Sequence, residues 1–139
     1  MSRIIQTDSV GKRRTQLLKA IVISIRELMK QASITSETKD LAAFISNALL
    51  AVHDTIEESV VPWEKRGYWV KADKFRLEWE WTEQLGTVML QATQEEDWVS
   101  VAALSATVGQ HLSNIQVSDR HRMGKPWVGA WKLMQKGER

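Results

Sequence analysis

The sequence predicts an all-α fold, an antiparallel four-helix bundle with a short fifth helix at its C-terminus. Apolar residues recur every three to four positions over four long segments, as on the buried face of an α-helix. The connection between the first two segments is short and polar, which favours antiparallel packing. The chain has 139 residues, which suits one domain, and we expect a single domain over residues 1–139.

The first helix is expected over residues 9–32, with Asp8 or Ser9 as its N-cap. Its apolar face holds Leu17, Leu18, Ile21, Val22, Ile25, Leu28, Met29 and Ala32. Eight apolar side chains along one stripe make this helix the best-defined element of the sequence.

The second helix is expected over residues 37–59, capped by Thr35 or Ser36. Its apolar face holds Leu41, Ile45, Ala48, Leu49, Val52 and Ile56. We expect it to end before Pro62, because proline disfavours the helical conformation of the residue before it. Pro62 then starts a structured connector that ends at Gly67.

Two interpretations compete for residues 68–81. Apolar and charged residues alternate from Phe75 onward, which is typical of a strand and would allow a hairpin. Beyond these residues the apolar spacing becomes helical, so we prefer a third helix over residues 70–91. Its expected core face holds Leu77, Trp81, Leu85, Val88, Met89 and Ala92. Phe75 and Trp79 then share the opposite face, and Gly86 indicates a close helix crossing.

The fourth helix is expected over residues 94–116, because Thr93 and Glu96 have the spacing of a capping box. Its core face holds Trp98, Val101, Leu104, Ser105, Val108, Leu112 and Ile115. Gly109 would again allow a close helix approach. After a polar, irregular segment, a short terminal helix is expected over residues 126–135.

Charge is distributed unevenly along the chain, whose net charge is +2. Residues 1–35 carry seven basic and two acidic side chains, residues 36–100 six and thirteen, and residues 101–139 six and two. The basic ends can pair with the acidic middle inside the molecule, which we prefer, or bind nucleic acid. The candidates for a basic surface are Lys12, Arg13, Arg14, Arg120, Arg122 and Lys125. The first three lie in the opening turns of a helix, where the dipole disfavours cations, so they indicate an acidic ligand or ion pairs with the second helix.

The composition excludes some classes of protein. The chain has no cysteine, which rules out disulfides, thiol catalysis and cysteine metal ligands. The N-terminal residues lack the apolar core of a signal peptide. The most apolar run, residues 17–25, is far shorter than the roughly 20 residues that cross a bilayer. We therefore expect a soluble, cytoplasmic protein with no membrane segment.

The sequence gives little sign of catalysis. His53 and His111 could converge with Glu57 or Asp54 on a zinc ion, but isolated histidines at the edge of a stripe are more often hydrogen-bonded locally. The Glu-x-x-His pattern of di-iron bundles is absent, as are the P-loop, the dinucleotide-binding glycines and HExxH. We predict no metal and no cofactor, and favour a protein that is not an enzyme.

Aromatic residues concentrate between Pro62 and Trp81, which contains four of the seven tryptophans. Phe75 and Trp79, opposite the expected core face, need cover. A C-terminal segment, a second subunit or a ligand could supply it. The candidates for an interface or ligand site are Trp63, Tyr68, Trp69, Phe75, Arg76, Trp79, Trp127 and Trp131.

The preferred function is protein–protein contact through this aromatic surface, with a homodimer or another protein as partner. The alternative is a bundle that binds a small molecule or nucleotide in a tryptophan-lined pocket. In that case bases could stack on the rings, with Lys71, Lys74 and Arg76 on the phosphates. A weaker alternative is nucleic-acid binding through the basic ends.

Overall fold

A computed structural model of the chain describes the backbone of residues 3–137 and the side chains of residues 9–137. It contains five helices, α1 (Arg3–Met29), α2 (Ser36–Lys65), α3 (Trp69–Gln94), α4 (Trp98–His111) and α5 (Ala130–Gln135). Residues 3–137 contain no strand, so the all-α fold and the helix over residues 70–81 are confirmed. None of the described helices carries an apolar stretch that could cross a bilayer.

The four long helices run antiparallel to their neighbours, because contacts join residues in the first half of one helix to residues in the second half of an adjacent helix. These contacts include Arg13 with Glu58, Arg76 with Glu57, and Trp81 with His111. The second helix packs against α1, α3 and α5, and its fully buried side chains include Leu41, Ile45, Leu49 and Val52. Helix α2 therefore forms the centre of the bundle.

The start of α2 agrees with its sequence, but its end does not. Thr35 is the N-cap, and its hydroxyl and that of Thr38 each accept the other residue's backbone N–H. The prediction that α2 ends before Pro62 is wrong, because the helix continues through Pro62 to Lys65. Proline removes one N–H from the helix ladder, but Pro62 lies on the exposed side and only one further turn follows it.

Helix α3 turns a different face to the core from the one that its apolar spacing predicts. Leu77 is 70% exposed and Val88 is 52% exposed, so both assignments to the core are wrong. The buried residues of this helix are Ala72, Thr82, Gly86, Met89, Ala92 and Thr93. They are mostly small, and a Cβ at Gly86 would lie 3.0 Å from Leu50. Close approach to α2 therefore decides the orientation of α3.

The connection between α3 and α4 differs from the predicted capping box. Helix α3 extends to Gln94, and Thr93 is buried on it, donating its hydroxyl to the Met89 carbonyl at 2.7 Å. The N-cap of α4 is Asp97, whose carboxylate accepts the Ser100 N–H at 3.2 Å. Helix α4 is also shorter than expected and ends at His111.

The C-terminal segment returns along α1 to the start of α2. Arg26 donates to the Asp119 carboxylate at 3.0 Å and to the Val117 carbonyl at 2.8 Å. Trp127 is then buried, and its indole N–H donates to Glu37 at 3.2 Å. Only residues 130–135 of the expected terminal helix are helical.

The predicted start of α1 at its Asp8 or Ser9 cap is also wrong, because the helix already begins at Arg3. It ends at Met29, so Ala32 lies in the connection to α2 and is exposed.

Candidate functional site

Five rings form a chain of contacts at one end of the bundle, and we call it the aromatic ladder: Trp63, Phe75, Trp79, Trp81 and His111. Successive ring centroids are 5.2, 6.5, 6.2 and 4.2 Å apart. The ladder begins on α2, follows the first half of α3 and ends on α4. Such aromatic pairs add to the energy of apolar burial, so the ladder ties three helices together.

The cover over Phe75 and Trp79 comes from the chain itself. Trp63 of α2 packs edge-on to Phe75, and the Arg14 guanidinium lies 5.1 Å from the Phe75 ring centre. Both aromatic residues are half-buried. Trp127 and Trp131, the C-terminal residues expected as cover, lie at the opposite end of the bundle. Phe75 and Trp79 are therefore packed between α1, α2 and α3 rather than left as an open surface.

The basic residues at the start of α1 contact the end of α2. Arg14 donates to the hydroxyl and the carbonyl of Thr55, each at 3.0 Å, and to the Ser59 hydroxyl. Partial burial lowers the pKa of Arg14. Arg13 pairs with Glu58 at 2.5 Å. Arginine in these positions therefore has partners on α2, and only Lys12 of the triplet projects away as an exposed cation without an ion pair among the described residues.

Arg76 fixes the start of α3 to the end of α2. Its guanidinium donates to Glu57 at 3.0 Å and to Glu64 at 2.5 Å. The hydrogen bond from Arg76 holds the pKa of Glu57 below its usual value, and the two carboxylates raise the pKa of Arg76. The sequence makes Arg76 a candidate phosphate ligand, but its guanidinium N–H groups are already bound to two carboxylates.

Apolar side chains that lack cover lie at the connection between α2 and α3. Tyr68 is 53% exposed and Trp69 is 58% exposed, and Val61 near the end of α2 and Val70 at the start of α3 are also exposed. We call these four residues the aromatic patch. The connection is tightly held, because Gly67 adopts a left-handed φ of 83° and the Tyr68 N–H donates to the Trp63 carbonyl at 2.9 Å. The patch therefore lies on a well-defined turn between two long helices.

Four exposed cations flank the aromatic patch in the sequence, and we call Lys65, Arg66, Lys71 and Lys74 the basic rim. Within residues 9–137, whose side chains are described, no member of the rim forms an ion pair. Lys71 lies 4.3 Å from the ring centre of Trp63. The nearest carboxylates of α2 are already paired with Arg76 or Arg13, so they do not neutralise the positive charge of the rim.

A shallow groove of about 710 Å³ lies on the other side of the ladder. Its walls come from α1, the outer face of α3 and the end of α4, and include Trp79, Trp81 and His111. Glu78 and Glu80 are its charged lining residues, and none of the lysines and arginines within residues 9–137 lines it. Carboxylates thus mark this side of α3, whereas Lys71 and Lys74 lie in its first two turns, where Glu78 lines a further pocket with them.

The remaining candidates are dispersed. The described residues contain no group of three side chains that could hold a metal ion. His121 accepts the Met123 N–H at 3.2 Å. Arg120, Arg122 and Lys125 lie on the returning C-terminal segment, where Lys125 approaches Glu37 at 3.9 Å. This basic segment and the α1 triplet lie towards opposite ends of the bundle and do not form one surface.

Trp131 packs near Trp98, with ring centroids 6.3 Å apart, and Lys39 lies over its ring. Both C-terminal tryptophans therefore contribute to the fold.

Comparison of the chain with protein-family models, with curated proteins and with solved structures finds no match.

Proposed function

We propose that the protein acts by protein–protein contact through the aromatic patch, without catalysing a reaction. The observation that supports this proposal is the exposure of Tyr68 and Trp69, each more than half accessible on an ordered turn. Exposed tryptophan and tyrosine are enriched among the residues that dominate binding energy. Large exposed apolar patches are also uncommon on monomeric proteins, where they usually mark a binding site. The absence of cysteine is consistent with the reducing environment of the cytoplasm, where we place the protein.

Photo-crosslinking tests this proposal directly. Tyr68 is replaced by p-benzoylphenylalanine in cells, and covalent adducts are separated by gel electrophoresis. The same replacement at Val99, which is 84% exposed at the other end of the bundle, provides the control. We expect discrete protein adducts from position 68 and none from position 99. A lack of adducts at position 68 would contradict contact through the patch.

A homodimer is the form of this contact that the sequence favours, and sedimentation velocity tests it separately. If a second copy binds through the patch, Trp69→Ala weakens the dimer by about tenfold or more, the loss typical of an interface hot spot. Val99→Ala, which also shortens an exposed apolar side chain, leaves it unchanged. A wild-type monomer at high micromolar concentration contradicts the homodimer and leaves a different protein as partner.

The groove supports a second candidate function, the binding of a small molecule. Its volume of about 710 Å³ lies within the usual range of ligand sites, about 300–1,000 Å³. Trp79 and Trp81 contribute to its lining. A ligand there should change tryptophan fluorescence in the wild type and lose affinity on Trp81→Phe. Compounds that stabilise the wild type and Trp81→Phe equally would contradict binding in the groove.

A further inference from the structure

We propose that the aromatic patch and its basic rim bind an acidic peptide segment of another protein, one that carries an apolar anchor residue. This inference rests on the proposed function and names the chemistry of the partner. Val61, Tyr68, Trp69 and Val70 would receive the apolar anchor, and the cations of the rim would face the carboxylates of the segment.

The charge around the patch carries the inference. The sequence makes the middle of the chain acidic, but the carboxylates at the end of α2, nearest the patch, are already engaged. Glu57 and Glu64 bind Arg76, and Glu58 binds Arg13. Asp73 is the one carboxylate within residues 65–74, against the four cations of the rim. A surface with unpaired positive charge attracts a partner of negative charge and increases its rate of association.

The arrangement of the rings favours an anchor residue beside these charges. Tyr68 and Trp69 are consecutive residues at the start of α3, so their rings project from a single turn of the chain. Each ring presents a large apolar area together with a polar N–H or O–H, as is common at protein interfaces. Lysine side chains around them have long apolar stems, which can cover an anchor while the ammonium groups stay in water.

Two other occupants fit the surface less well. A second copy that paired patch to patch would bring two basic rims together, and like charges facing each other at an interface are unfavourable. A single strand of nucleic acid needs a cationic groove that follows its backbone. Here the unpaired cations stop at Lys74, because Arg76 is paired with Glu57 and Glu64, and Glu78 and Glu80 follow on the same helix. A short acidic segment avoids both problems, because its charge is opposite to that of the rim and it needs no long cationic groove.

The experiment is selection of phage-displayed random peptides of about twelve residues, long enough for one linear recognition motif, on the immobilised full chain. We expect the selected sequences to be enriched in aspartate and glutamate around one large apolar residue. Binding of a selected peptide should fall at least tenfold on Trp69→Ala and on the double change Lys71→Glu and Lys74→Glu. The double change Lys132→Glu and Lys136→Glu alters the net charge equally, at exposed positions on α5 and just after it, and should leave binding unchanged.

The outcomes separate the inference from the proposed function. Selected peptides that depend on Trp69 but show no acidic bias overturn the inference and leave the function standing. Equal losses in the two double variants show only a general charge effect and overturn it as well. An oligothymidylate of similar length that binds the patch more tightly than the acidic peptides replaces the inference with nucleic-acid binding. No peptides selected, together with no crosslinks from position 68, overturns both.

Discussion

The imidazole of His111 lies face to face with the indole of Trp81, with ring centroids 4.2 Å apart and planes 5° apart. His111 is the last residue of α4, so this stack holds the end of α4 against α3. Trp79 lies on α3 near the same indole, with centroids 6.2 Å apart and planes 27° apart. The half-buried Trp81 therefore depends on His111 for part of its cover.

Removing this cover should destabilise the protein and expose the indole. We expect His111→Ala to lower the free energy of unfolding by about 0.5–1.5 kcal/mol, the usual contribution of an aromatic pair. Tryptophan emission should also shift to the red. Urea denaturation followed by fluorescence measures both effects. Gln110→Ala, at the exposed neighbouring position, should change neither; equal effects in the two variants would contradict a specific role for the stack.

The orientation of α3 shows where sequence periodicity succeeds and where it fails. Helix type and approximate extent follow from the apolar spacing. The helix carries two stripes, however, and hydrophobicity alone favours the one with Leu77 and Val88. Packing favours the other, because Gly86 and small neighbours allow α2 to approach more closely than a leucine stripe would. Close packing of α2 against α3 at Gly86, where Leu49 and Leu50 are buried, therefore outweighs the burial of Leu77 and Val88.

The two helical glycines inside the bundle should respond oppositely to alanine. A Cβ at Gly86 would lie 3.0 Å from Leu50 and 3.1 Å from the Cβ of Leu49, so we expect Gly86→Ala to destabilise by about 1–3 kcal/mol through overpacking. At Gly109 the nearest atom, on Ile25, is 3.8 Å away, an ordinary contact. Gly109→Ala should therefore stabilise by up to about 1 kcal/mol through helix propensity. Urea midpoints of the two variants test this opposite sign.

The candidate site could be predicted only in part. Tyr68 and Trp69 stand out in the sequence, but their exposure depends on the turn that Gly67 makes. Phe75 and Trp79 stand out equally, but their cover comes from Arg14 of α1 and Trp63 of α2, which lie on other helices. Local spacing carries no information about such tertiary partners. The sequence therefore locates the aromatic segment without telling which of its rings face water.

The ion pairs of Arg76 predict a specific response to acid. Because the hydrogen bond from Arg76 lowers the pKa of Glu57 in the folded state, the pair stabilises the protein fully above the ordinary glutamate pKa and loses this contribution as pH falls below it. Both side chains are partly exposed, so solvent screening keeps the effect to about 1 kcal/mol or less. In Glu57→Gln the free energy of unfolding should fall less steeply between about pH 5 and pH 3 than in the wild type. Urea denaturation measures this slope. Glu83→Gln, at an exposed position on α3, should leave the wild-type slope; identical slopes for all three proteins would contradict the role of the pair.

Asp40 should control the docking of the C-terminal helix. Its carboxylate accepts the N–H of Gly129 at 3.2 Å and that of Trp131 at 3.0 Å. Gly129 has no side chain to cap α5, so Asp40 of α2 satisfies these N–H groups instead. The amide of Asp40→Asn has only one oxygen to accept them, and we expect α5 to lose about 1–2 kcal/mol of local stability. Hydrogen exchange should then become faster across residues 130–135 while the amides at the centre of α2 keep their protection. Asp73→Asn, at an exposed position on α3, is the matched control, and unchanged exchange of α5 in Asp40→Asn would show that apolar contacts of Met134 and Trp131 hold the helix without the carboxylate.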